Sequence, residues 1–183
     1  MRVISGTARG RKLLEPDGMK IRPSTDKVKE SLFNIIQFDI EGRRVLDMFA
    51  GSGQLGIEAL SRGAESCVFV DESTEAIRLV NANLQRCGLE KAATVVRGDA
   101  FSYLEHGGKF DIVFIDPPYD TTHIDRALER IIEFDILKDN GIIICESRVE
   151  KEIAAVPEPY RLKKEYSYGR IKLSLIVKES IIE

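Results

Sequence analysis

The densest chemistry in the chain lies in Asp116-Pro117-Pro118-Tyr119, which follows the apolar run Phe110 to Ile115. Two prolines fix the backbone and remove two N–H donors where a strand would end, leaving a rim of carbonyl oxygens and one carboxylate. Such a rim accepts hydrogen bonds and cannot donate them, so the group it complements is an amine. A planar aromatic amine is a poor nucleophile because its lone pair is delocalised into the ring. Two acceptors holding its N–H protons favour pyramidalisation and aim the lone pair at an electrophile, while Tyr119 offers a ring on which a base can stack. A structural strand-to-turn Pro-Pro explains the prolines but neither the Asp nor the Tyr beside them.

A second group of residues surrounds a glycine-rich turn. Val45 to Leu60 reads as a buried strand, the turn Gly51-Ser52-Gly53, and the start of a helix near Leu55. Gly51 and Gly53 allow positive φ and close approach, and the helix start directs unpaired N–H groups into the turn, which makes a site for an anionic or ribose-bearing cofactor. Gly51, Gly53 and Gly56 also satisfy G-x-G-x-x-G literally, so this stretch fits a nicotinamide cofactor as well as another nucleoside. Asp71 lies 24 positions after Asp47 and 18 after Gly53, where a carboxylate would bond ribose hydroxyls. Asp99, followed by Ala100 and Phe101, is placed to accept from an adenine amino group. The simpler alternatives are a helix-capping Asp71 and a loop or N-cap Asp99.

These residues need a scaffold that gathers strand ends. From Arg44 onward, strand-like and helix-like segments alternate, the pattern of an α/β domain with a largely parallel sheet. Strands are expected at Val45–Asp47, Cys67–Val70, Thr94–Val96, Phe110–Ile115 and Ile142–Cys145, and Asp47, Asp71, Asp99 and Asp116 close the first four. Ligands of open α/β sheets bind beyond such carboxyl ends. Ser73 starts a helix with Ala76, Ile77, Val80 and Leu84 inward and Gly88 as its stop; another carries Ile124, Ala127, Leu128, Ile131 and Ile132. Tyr160–Tyr168 and Ile171–Val177 join through Gly169 with no room for a crossover helix, hence an antiparallel hairpin. Ahead of this domain, Val3-Ile4 and Leu13-Leu14 suggest a small hairpin or extended arm. A helix with Val28, Leu32, Phe33 and Ile36 at helical spacing follows, capped by Ser24 or Thr25 and ending before Gly42. The expected division is 1–43, arm and helix, and 44–183, the α/β domain.

The 183 residues suffice for one core without staples. No apolar run approaches a membrane span and no apolar stretch follows Arg2, so a cytoplasmic protein without a signal peptide is expected. Cys67, Cys87 and Cys145 have no C-x-x-C spacing, and with His106 and His123 they form no metal or disulfide framework. Cys67 and Cys145 read as small buried hydrophobes. The net charge of −3 hides an asymmetry: residues 1 to 29 hold eight basic against three acidic residues, a local +5 that leaves −8 for the rest.

Asp47-Met48-Phe49-Ala50-Gly51-Ser52-Gly53, Asp71, Asp99 and Asp116-Pro117-Pro118-Tyr119 together resemble class I S-adenosylmethionine-dependent methyltransferases of nucleobase amines. Ile4 to Leu13, Arg22 to Asn34 and Leu60 to Ala64 narrow the resemblance to the bacterial 16S rRNA (guanine-N2)-methyltransferases, over nearly the whole chain. Met48, Gln54 and Ser24 depart modestly from that pattern. The resemblance implies a Rossmann-like class I methyltransferase fold and methyl transfer to the N2 amine of a guanosine in 16S rRNA. It places Gly51, Ser52 and Gly53 beside the methionine part of the cofactor, with Asp47 near its amino group, Asp71 at the ribose, and Asp99 with Ala100 at the adenine. Asp116, the Pro117 backbone and Tyr119 hold the guanine amine, and Arg9, Arg11, Arg22 and Lys27 meet RNA phosphates. No metal is implied, and the expected partner is the assembling small subunit met by a monomer. Three other readings compete: a nicotinamide oxidoreductase, which leaves Asp116 to Tyr119 unexplained; a DNA adenine-N6 methyltransferase, for whose target-recognition insert the chain has little length; and a noncatalytic assembly factor.

Overall fold

A computed structural model describes residues 1–16, 23–118 and 122–180, with side chains from residue 26 onward in the first helix. The cap expected of Ser24 or Thr25 rests on side chains outside the described residues, and Arg22 and Tyr119 also lie outside them.

Among the described residues seven strands form one sheet: β1 (Arg44–Asp47), β2 (Ser66–Asp71), β3 (Ala93–Arg97), β4 (Phe110–Ile115), β5 (Leu137–Arg148), β6 (Tyr160–Tyr168) and β7 (Ile171–Lys178), in the order β3-β2-β1-β4-β5-β7-β6. The first five are parallel, while β7 runs antiparallel between β5 and β6. The chain winds outward from β1 through β2 to β3, then returns to β1's other side for β4 and β5. The carboxyl ends of β1 and β4 therefore flank the switch point where such sheets hold ligands. The inserted antiparallel β7 departs from the dinucleotide-binding order that the glycine spacing left open.

Helices cover both faces, which is why β1, β2 and β4 are apolar on both sides. On one face α1 (Pro23–Ile35), α2 (Gln54–Ser61) and α3 (Thr74–Cys87) pack on Val45, Phe69, Phe114 and Ile144. On the other, α4 (Ala100–Leu104) and α5 (Thr122–Glu133) pack on Leu46, Val70, Val113 and Ile143. The strand alternation continues beyond the apolar runs, so Asp47, Asp71, Asp116 and Glu146 share the parity of the first face. α2 sits very close to β2: a Cβ on Gly56 would lie 2.3 Å from the Phe69 ring and 2.7 Å from Cys67 Sγ.

Among the described residues the N-terminal arm makes one antiparallel bridge, Arg2 with Lys12, and buries Val3, Ala8 and Leu13 in the same cluster as the helices of the first face. Two features go beyond the sequence reading. α4 was foreshadowed only by the N-cap alternative for Asp99, and β5 starts at Leu137, with a register shift between the pairs at Phe110 and Ile112. Cys67 and Cys145 are buried free thiols. Among the described residues no helix is long and apolar enough to cross a membrane.

Candidate functional site

The glycine turn hangs from both neighbours of β1: Met48 N donates to Phe114 O at 3.2 Å and Ala50 N to Val70 O at 3.0 Å. Gly51 and Gly53 take φ of +54° and +79°, the left-handed region that favours glycine. Gly53 is the N-cap of α2 and has no side chain to satisfy that helix's first amides. Asp47 supplies the acceptor instead, its Oδ2 receiving Gly56 N at 3.1 Å. At 1 % exposure it lies beneath the turn. Burial, with the negative charges of Asp116 and Asp71 adding to it, pushes its carboxyl up to about 7 against the opposing Gly56 bond.

Asp71 grips the turn from β2, accepting Gly51 N and Ser73 N at 2.9 Å each. It is not the cap of α3; Ser73 is, through its hydroxyl and Ala76 N. The next loop is tied in by Gly98 N donating to Asp71 O at 3.0 Å, and Asp99 caps α4 by accepting Ser102 N at 2.8 Å on Oδ1. Asp99 is exposed and Ala100 buried. The capping alternative for Asp99 thus describes one of its oxygens, and Oδ2 remains for a ligand.

Asp116 and Pro117 emerge at the end of β4, half-buried. Burial raises the Asp116 carboxyl. Sequence reasoning missed Glu146, which continues β5 immediately after Cys145, the register partner of Ile115. Burial and the Asp116 charge raise its carboxyl too. The signal was present: three of the first four strands run directly into an aspartate, and β5's apolar run meets Glu146 in the same way.

No basic side chain among the described residues offsets the raised carboxyls of Asp47, Asp116 and Glu146. Nor does any group of three or more His, Cys, Asp or Glu among them come together to hold a metal ion. What fits is an organic cation with hydroxyls and a base. A Cβ on Gly51 would meet nothing within 4 Å, so the turn opens on free space there, and the Gln54 Oε1 beside it is buried with no partner among the described residues. S-adenosylmethionine, with its sulfonium and ammonium charges, matches this set of donors and acceptors.

Arg9, Arg11 and Lys27 are exposed, whereas Lys29, counted within the basic stretch, is buried. Its Nζ donates to Arg2 O at 2.7 Å and lies 3.7 Å from Glu58 Oε2. Arg11 and Lys12 line one depression with Arg86 of α3. Besides Lys29, the buried side chains of Ser61, Glu58 and Asn83 fasten the arm, Ser61 accepting Ala8 N at 2.9 Å and donating to Ser5 O at 2.6 Å. Glu58 accepts Ile4 N at 2.8 Å and Ser5 N at 3.0 Å, and Asn83 bonds both Leu14 N and Leu14 O while donating to Ser52 O at 2.9 Å. Asn83 therefore links the arm to the cofactor turn. Its position among the inward residues of α3 was the available sign.

The family model described as Conserved hypothetical protein 95 matches residues 1–177. A Bacillus subtilis (strain 168) protein named "Putative rRNA methyltransferase YlbH" is 44% identical over 173 residues, which cover 92% of this chain and 94% of that one. "Ribosomal RNA small subunit methyltransferase D" of Escherichia coli (strain K12) is 35% identical over 181 residues, 98% of this chain and 91% of its own. A solved Escherichia coli structure described as "Putative methyltransferase yhhF" superposes with a TM-score of 0.88 at 36% identity, covering 98% of each chain.

Proposed function

Because the chain belongs to the family described as Conserved hypothetical protein 95, we propose that it methylates the exocyclic N2 amine of a guanosine in 16S rRNA, within an assembling small subunit. It is an rRNA methyltransferase that uses S-adenosylmethionine. The observation that carries the finer reading is the acceptor rim Asp116-Pro117 at the end of β4, across the switch point from the glycine turn of β1.

The cofactor supplies an electrophilic methyl carbon on sulfur, so the protein's work is alignment rather than nucleophilic activation. Gly51, Ser52 and Gly53 border its amino-acid end, with Asp47 holding the turn in shape from below. Asp71 takes the ribose and Asp99 Oδ2 the adenine amine, beside Ala100. The Asp116 carboxylate and the Pro117 carbonyl accept the two guanine N2–H bonds and turn the nitrogen lone pair toward the methyl group, while Tyr119 stacks on the base. With the cofactor bound, methyl transfer from its sulfur would release one N2 proton, which the Asp116 carboxylate or water would accept. Residues 1–43 serve RNA binding, with Arg9, Arg11, Arg22 and Lys27 meeting phosphates.

The test is transfer of labelled methyl to small-subunit particles from a strain lacking the gene. The wild-type chain should label 16S rRNA. Asp116→Ala should lose at least about 100-fold in rate while its cofactor affinity stays within a few-fold. Equal rates for the two proteins would remove Asp116 from the chemistry.

A further inference from the structure

A second carboxylate stands beside the amine-binding one. Ile115 of β4 pairs in parallel register with Cys145 of β5, so Asp116 and Glu146 are the next residues on neighbouring strands. Strands lie about 4.8 Å apart, and equal parity puts both side chains on the same face. Among the described residues neither carboxylate accepts a hydrogen bond. Ionised, as a cationic cofactor beside them favours, the two adjacent carboxylates accept and do not donate, so they require a ligand edge with two adjacent donors.

The exocyclic amines of the nucleobases differ in what flanks them. Adenine N6 stands next to N1, an acceptor, and cytosine N4 next to N3, also an acceptor. Guanine N2 stands next to N1–H, a donor. Of the three, only guanine offers an amine and a ring N–H side by side. A carboxylate at Glu146 would face a lone pair if adenine or cytosine occupied the site.

We infer that Glu146 is the residue that selects guanine, accepting the N1–H of the base whose N2 amine is held by Asp116 and Pro117. This rests on the proposed guanine-N2 reading. It also says why a site built from an acidic rim takes guanine in preference to the other amines: Asp116 serves the amine common to all three bases, and Glu146 serves the neighbour that distinguishes them. The cost of a wrong base is a carboxylate left without its donor and set against a lone pair.

The probe is 2-aminopurine, which keeps the 2-amino group but carries an unprotonated N1. Once the wild-type product has been mapped, that one position is rebuilt as guanine or as 2-aminopurine in reconstituted particles, and kcat and KM are measured for both. Wild type should disfavour 2-aminopurine by at least about 100-fold in kcat/KM. Glu146→Gln, whose amide can donate to N1, should lose on guanine and narrow that preference by about 10-fold or more, with cofactor affinity within two-fold of wild type. Wild type that forms N2-methylguanosine yet uses 2-aminopurine equally well overturns the role of Glu146 and leaves the reaction standing, as does a Glu146→Gln protein with unchanged preference. Wild type that forms no N2-methylguanosine overturns the underlying reading, and the inference with it.

Discussion

Glu58→Ala tests whether the arm belongs to the folded core or merely lies on it. The Glu58 carboxylate is fully buried, and it receives Ile4 N, Ser5 N and Arg62 Nε at 2.8, 3.0 and 2.8 Å with Lys29 Nζ at 3.7 Å. Removing one member of a buried ion pair costs about 3–5 kcal/mol, because the remaining charge is left in a low-dielectric site. Lys29 is 2 % exposed and burial already lowers its pKa, so its ammonium has little water to fall back on. The two freed amides add to the cost, less than additively since Ile4 and Ser5 are only half-buried. For a domain of this size a loss of about 3–5 kcal/mol lowers Tm by roughly 6–20 °C. Urea denaturation gives the stability, and hydrogen exchange at Ile4 and Ser5 shows whether the arm opens first. A double-mutant cycle with Lys29→Met should recover part of the loss, since removing both charges removes the unpaired one. A loss below about 1 kcal/mol, or strict additivity with Lys29→Met, would refute the reasoning and make the arm an appendage.

Further predictions concern the cofactor turn and the helix behind it. Burial pushes the Asp47 carboxyl from the ordinary carboxylate range up to about 7, so between about 4 and 7 the folded state holds a proton that the unfolded chain has lost. Stability without cofactor should therefore fall as pH rises from about 4 to 7. A cationic cofactor favours the ionised carboxyls, so affinity for S-adenosylmethionine, measured by calorimetry, should rise between pH 6 and 8, and more steeply than affinity for S-adenosylhomocysteine, which lacks the sulfonium charge. Equal slopes would contradict this. The glycines separate binding from folding. Gly56→Ala drives a methyl group into the Phe69 ring and should cost on the order of 1–3 kcal/mol by denaturation. Gly51→Ala meets no atom, should cost only about 1–2 kcal/mol for its positive φ, and should instead weaken cofactor binding.

The parts of this site legible in the sequence are those where local pattern and tertiary role coincide. β1 and β4 are apolar on both faces, and each runs into residues whose backbone chemistry is unusual, a glycine turn and two prolines. The hairpin of β6 and β7 was readable because Gly169 leaves no room for a helix. α4 has only five residues, too few for a helical period to declare itself, and Asp99 was the one trace of it as its cap. The start of β5 carries Lys138, Asp139 and Asn140, exposed polar residues that resemble a loop until β4 pairs with Leu137. Glu58 and Asn83 are harder still. Their carboxylate and amide answer backbone groups of the arm 53 to 69 residues away in sequence, and no local pattern reports that separation. Lys29 shows the converse: counted as surface charge, it is spent inside the fold on Glu58 and Arg2 O.

The most direct measurement of the central claim is nucleoside mass spectrometry of 16S rRNA from small-subunit particles of a strain lacking the gene, treated with S-adenosylmethionine and either wild-type or Asp116→Ala protein. N2-methylguanosine appearing at one position with wild type and absent with the variant is the expected result. N6-methyladenosine in its place, or no methylated nucleoside despite bound cofactor, would contradict the account.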